Sequence, residues 1–166
     1  MTPRTAQVLS TAVITGAFRK GWQGPTLLGS LRGLTVDQLL WRPAPKRKCV
    51  WEQALHAAYW KYAVARIIAH AAEDGPHAVP GFPRSPSNWP RLPARPDQKA
   101  WKQDLSLLKI YQKHLERVVG ALTDEALAQP PSPKHKHPTA FYVAGAAAHD
   151  AYHCGQVQLM KRLMRP

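Results

Sequence analysis

The chain has 166 residues, 45% of them hydrophobic and 20% charged, with 6 Trp, which excludes a disordered or collagen-like polymer and suits one globular domain over residues 1–166. Its formal charge of +13, from 23 Lys+Arg against 10 Asp+Glu, would attract phosphate, an anionic surface or an acidic small molecule. The basic residues are dispersed, the densest run being Lys46-Arg47-Lys48 with Lys161, Arg162 and Arg165 at the end, and none interleaves with aromatics, so a nucleic-acid partner is not expected.

No run of about 18 uncharged apolar residues offers a membrane span, and the first residues lack a clean signal-peptide cleavage pattern. Cys49 and Cys154 are too few and too far apart in sequence for a secreted disulfide scaffold or a Cys-type zinc site. The expectation is a cytoplasmic protein with reduced thiols and no membrane partner.

In chain order, residues from about Thr5 to Lys20 place Leu9, Ala12, Val13 and Gly16 on one helical face, which Gly21 and Gly24-Pro25 interrupt. Pro25 suits the first turn of a short helix carrying Leu27, Leu28 and Leu31. Thr35, three residues before Gln38, predicts a capping box. A long second helix is predicted over Val50 to Ala72, stopped by Asp74, Gly75 and Pro76. From Asp74 to about Asp97 the chain holds Pro76, Pro80, Pro83, Pro86, Pro90, Pro93 and Pro96, which no helix tolerates. A connection of that length is the crossover that two parallel helices need.

The third helix, Gln98 to Gly120, repeats Trp101, Leu105, Leu108, Gln112, Leu115, Val119 and Leu122 at alternating four- and three-residue steps, the seam of a bundle. The fourth runs from Thr139 to nearly the C-terminus with Tyr142, Gly145, His149, Gln156, Met160 and Leu163 on one stripe. No strand-like alternation interrupts the chain. The predicted class is all-α, a four-helix bundle with a long Pro-rich crossover between its second and third helices.

Three histidines stand out. His149 and His153 are four residues apart, on one helical face about 6 Å apart at Cβ and within reach of one ion. His56 shares a stripe of the second helix with Cys49, Trp60, Ala63 and Ile67, while Ala54, Ala58, Lys61 and Ala65 fall opposite. On the fourth helix Cys154, Gln158, Lys161 and Arg165 fall opposite the histidines. All three imidazoles therefore point inward, where either core hydrogen bonds or a divalent metal must satisfy their nitrogens, the metal leaving a fourth position for water.

Glu52, one turn before His56, is placed to orient that imidazole or act as a base, or equally to cap the helix. Gln156, close to His153, is placed to hydrogen-bond water on the ion, or as a core amide to tie helices together. Trp60 and Tyr142 are candidates to wall a pocket, or are core. His70, His77 and His114 read as solvated, and His135 and His137 lie in a loop that fixes coordination poorly.

The segments WEQALHAAYW and HDAYHCGQVQLMKRL, with GWQGPTLLGSLRGLT and WRPAPKRKCVW before them, resemble the DinB/YfiT-like proteins of the DinB superfamily. The resemblance implies an up-down-down-up four-helix bundle, frequent homodimerisation, and a zinc or nickel ion on His56, His149 and His153. Relatives often place Ser where Cys49 stands. It also implies either a thiol-dependent S-transferase using a low-molecular-weight thiol or a metal-dependent hydrolase, each acting on a small-molecule substrate. Arg84, Arg91 and Arg95 on the crossover are candidates to meet an acidic substrate. The rival from another class is a non-catalytic stress-related protein that binds metal or a partner.

Overall fold

The computed structural model describes residues 5–69, 79–86 and 88–164. Among these the protein is helical with no strand. The N-terminal helix is α1, Thr5–Val8, a π-helical stretch over Leu9–Ile14, and α2, Thr15–Arg19. The wider π turn was not anticipated from the sequence. It lets the Thr15 N–H reach the Ser10 carbonyl, and it points two hydroxyls at one partner: Ser10 Oγ donates to the Glu116 carbonyl at 2.9 Å and Thr15 Oγ1 to Glu116 Oε1 at 2.7 Å.

Two short helices follow, α3 at Leu27–Ser30 and α4 at Val36–Leu40. The Thr35–Gln38 capping box forms in both directions, satisfying two backbone donors at the start of α4. The long helices are α5, Val50–Ile68, and α6, Gln98–Gly120; a short α7, Asp124–Ala128, leads to the third long helix α8, Thr139–Leu163. Asp97 caps α6 by accepting from the Ala100 N–H at 2.7 Å. The predicted stop at Asp74, Gly75 and Pro76 lies outside the described residues, as do His70 and His77.

Contacts between the long helices come as ordered series. Trp51 of α5 meets α6 near its start, its indole N–H donating to Asp104 Oδ2 at 2.9 Å and its ring edge-on to Trp101, while Tyr62 further along α5 packs on Tyr111. Against α8 the order reverses: Gln53 bonds Met160, His56 meets His153 and His149, and Lys61 meets Asp150. The apolar interior is built from one cluster around Trp51, Leu55, Trp101, Leu108 and Val157 and a second around Ile14, Val64, Leu115, Val119 and Val143.

Four expectations about helix faces are corrected. Ala54, Ala58, Lys61 and Ala65, predicted to lie outward on α5, are all buried, because α5 packs on α6 with one side and on α8 with another. Trp60, on the predicted inward stripe, is 38% exposed instead. On α8 the buried residues are Thr139, Val143, Ala147, Asp150, His153, Cys154, Val157 and Met160, so His153 and Met160 lie inward as expected, while Gly145 and Leu163 are exposed. Cys154, predicted outward, is buried against the turn before α3, its thiol 3.2 Å from the Pro25 carbonyl, and Lys161 reaches the Ser30 carbonyl. His153 is thus buried within the core stripe of α8, and His149, half-buried, sits at its flank.

Candidate metal centre

The three histidines line a cavity. His56 enters from α5, and His149 and His153, one turn apart on α8, face it. The Nε2 atoms of His149 and His56 are 3.2 Å apart and those of His153 and His149 3.1 Å. Three nitrogens bound tetrahedrally at about 2.0–2.1 Å stand roughly 3.3 Å from each other, so the spacing is that of a ligand set closed by a few tenths of an ångström. Among the described residues these three form the group that could hold a metal ion.

The hydrogen bonds behind the rings orient the lone pairs. His56 Nδ1 lies 2.6 Å from the Asn88 backbone carbonyl, which can only accept, so Nδ1 carries the proton and Nε2 presents its lone pair to the cluster. His153 Nδ1 faces Gln53 Oε1 at 3.3 Å, while the Gln53 amide nitrogen is turned to Met160 Sδ at 3.2 Å. The result is the same: a proton on Nδ1, a free pair on Nε2. Burial holds His149 down at about 3 and His153 at about 4, with the neighbouring imidazoles adding to it, and burial also lowers His56. Near neutral pH all three rings are uncharged donors.

The crossover supplies the lid of the site. Trp89 stacks flat on His56, ring centroids 3.8 Å apart and planes 8° from parallel, and Asn88 Oδ1 accepts from the Trp60 indole at 2.9 Å. One residue, Asn88, therefore ties both His56 and Trp60 to the Pro-rich segment. Sequence reasoning missed Asn88, Trp89 and Gln53. An Asn-Trp pair inside an otherwise Pro- and Arg-rich stretch was the available signal, since a large aromatic ring there needs something to cover it.

Gln156 is half-buried, lines the cavity and hydrogen-bonds His153. Glu52 is elsewhere engaged: its carboxylate accepts from the Cys49 N–H at 3.0 Å and pairs with Arg42 at 2.6 Å and Lys48 at 3.1 Å. This is the capping role, and it lets α5 begin at a cysteine that is itself a poor cap. The orienting bond to His56 comes from Asn88. His135 bonds Ser132, His137 stacks on Phe141, and His114 faces Arg117, all apart from the triad. Arg84 pairs with Asp104, and Arg91 and Arg95 are exposed away from the cavity wall, so the crossover arginines do not line the site.

The cavity has a volume of about 510 Å³, is walled by Trp89, Met160, Leu159 and Leu163, and has Gln53, His56, His149, His153 and Gln156 at its base. A smaller one of about 240 Å³, almost wholly apolar and lined by Trp60, Val64, Phe141 and Tyr142, meets His149 from the other side. An all-helical protein with three neutral imidazoles converging beside a roomy, mostly apolar cavity fits a divalent ion by donor type and spacing.

Comparison with known families gives the same class a name. Residues 19–157 match the family model of the DinB superfamily, and the chain belongs to that superfamily. No curated protein matches the chain.

Proposed function

We propose that the protein is a metal-dependent enzyme in which His56, His149 and His153 hold Zn²⁺ or Ni²⁺, acting as a thiol-dependent S-transferase or, second, as a hydrolase on a small molecule. The observation that carries this reading is the convergence of three Nε2 lone pairs, 3.1 and 3.2 Å apart, at the floor of a cavity. A divalent ion there supplies Lewis acidity, lowering the pKa of a thiol or water that reaches it. The chain's residues do the rest: Asn88 and Gln53 fix the imidazole tautomers, Trp89 covers His56 from solvent, and Gln156 offers an amide to a group at the ion. Two cavities meeting at His149 favour a two-substrate transfer over hydrolysis, because each gives one reactant its own approach.

The same reading extends to architecture and assembly. Early-with-early pairing of α5 on α6 and reversed pairing of α5 on α8 support a single-domain, up-down-down-up four-helix bundle over 1–166, with the crossover joining parallel neighbours. A cytoplasmic homodimer is the proposed state, and no helix among the described residues is long and apolar enough to cross a membrane.

The test is metal analysis of the purified protein, then screening of wild type and His153→Ala with thiols plus electrophiles and with esters and amides. Turnover that needs both His153 and metal supports the enzyme. Metal bound without turnover on any class returns the non-catalytic, metal-binding alternative, and turnover untouched by His153→Ala overturns the site.

A further inference from the structure

The densest basic run of the sequence has no part in the metal centre, yet it stands at its entrance. Pro43, Ala44, Arg47 and Lys48 form the wall of the larger cavity opposite the C-terminal turns of α8. The turn that carries them is held in shape: the Arg47 N–H donates to the Ala44 carbonyl at 3.1 Å, the Arg42 guanidinium bonds the Arg47 carbonyl, and Lys46 adopts a left-handed φ of 65° that a non-glycine residue seldom takes. Such a conformation persists where surrounding bonds fix it. Here it turns the Arg47 side chain to the cavity mouth.

Charge and hydrophobicity are divided across this cavity. Arg42 and Lys48 share the single carboxylate of Glu52, so with Arg47 the mouth keeps a surplus of positive charge. Lys48 Nζ lies 5.1 Å above the centroid of Trp89, the ring that stacks on His56, which puts the ammonium one indole away from the triad. Facing these cations, Tyr152, Leu159 and Leu163 line the cavity and remain 62%, 58% and 55% exposed, an apolar wall left to water. A guanidinium at the rim selects a planar anion, which it can bind bidentately. A wall of leucine and tyrosine selects an apolar body.

We infer that the cavity takes an organic acid with an apolar chain or ring, its carboxylate held at the mouth by Arg47 beside Lys48 and its body laid along Tyr152, Leu159 and Leu163 toward the histidines. This rests on the reading of the cavity as the substrate site and adds to it the substrate class. It also assigns the basic run a task that the crossover arginines, Arg84 among them, are not placed to do.

The experiment is calorimetric titration of the full chain with 4-phenylbutyrate, 4-phenylbutanol and 4-phenylbutylamine, with and without chelator, on wild type, Arg47→Gln and Leu159→Ser. The acid is expected to bind at least about tenfold more tightly than the alcohol or the amine, with or without chelator, since the rim and not the ion holds it. Arg47→Gln removes that preference and leaves the alcohol's affinity as it was, whereas Leu159→Ser weakens acid and alcohol alike. Arg47 is exposed, so its loss is read on a folded protein. Equal binding of acid and alcohol, no binding of the acid, or a preference that survives Arg47→Gln but disappears on chelation would each overturn the inference. The last outcome puts the carboxylate on the ion and leaves the metal reading standing; Arg47-dependent selectivity in a protein that binds no metal does the reverse.

Discussion

Replacing Lys61 by Met should be among the most damaging single changes in the protein, although Lys61 touches no histidine of the cluster. Its ammonium is buried between α5 and α8, 2.5 Å from Asp150 Oδ2 and 4.7 Å over the Phe18 ring. Burial drives the Lys61 pKa down and the Asp150 pKa up, and each partner's charge opposes that drift. With Lys61 gone, Asp150 keeps both oxygens in the interior, and Oδ1 has no hydrogen-bond partner even in the intact protein. Breaking one side of such a pair costs about 3–5 kcal/mol. For a chain of this size that lowers Tm by roughly 6–20 °C. Lys61→Met with Asp150→Leu removes both charges together and should return most of the loss, because the desolvation cost leaves with them. Thermal melts by circular dichroism on the two variants and wild type decide it. A single variant melting within about 3 °C of wild type, or a double variant no better than the single, would refute the reasoning. The consequence for function is direct, since Asp150 follows His149 in sequence and the pair clamps the two helices that carry the histidines.

Three further outcomes follow from other contacts. Trp89→Ala removes the ring stacked on His56 and should weaken metal binding about tenfold by competition with a chromophoric chelator, the scale at which groups behind a ligand act; unchanged affinity would mean that the crossover merely lies over the site. Asp104→Ala strands the buried Trp51 indole N–H and frees Arg84, and an unfolding free energy from urea titration lowered by about 2 kcal/mol is expected, with no change counting against that network. Burial works to raise the Glu52 pKa, but the Cys49 N–H, Arg42 and Lys48 outweigh it and hold it at about 2. A lowered folded value stabilises above the unfolded pKa, near 4.5, and the contribution is lost as pH falls from there toward 2. Because its partners Arg42 and Lys48 are partly open to solvent, which screens them, it amounts to about 1 kcal/mol. Glu52→Gln should flatten the acid limb of a stability-against-pH curve in that window, and an unchanged limb would contradict it.

The sequence was most legible where one helical face is apolar and the other charged. On α6 the seam of Trp101, Leu108, Gln112, Leu115 and Val119 is buried as its period requires. On α5 and α8 the same arithmetic erred, because alanine is apolar enough to be covered yet too small to mark a stripe. Neighbours on more than one side of α5 bury Ala54, Ala58 and Lys61, and the α8 core takes in Val143, Ala147, Asp150 and Cys154 beside the expected His153 and Met160. The three histidines come together and point inward, as their helical spacing suggested, with His56 and His153 buried and His149 half-buried. They also line a cavity, where an ion can meet a substrate. What lay beyond reach was the contribution of Asn88 and Trp89, since periodicity says nothing about where a proline-rich segment folds back.

The central claim is tested most directly by titrating zinc and nickel, followed by calorimetry, into wild type and into His56→Ala, His149→Ala and His153→Ala, with His135→Ala/His137→Ala as control. One ion per chain is expected in wild type and control, with loss of that binding in each triad variant while its helical signal persists. Binding that withstands all three triad substitutions, or no binding in wild type, would contradict it.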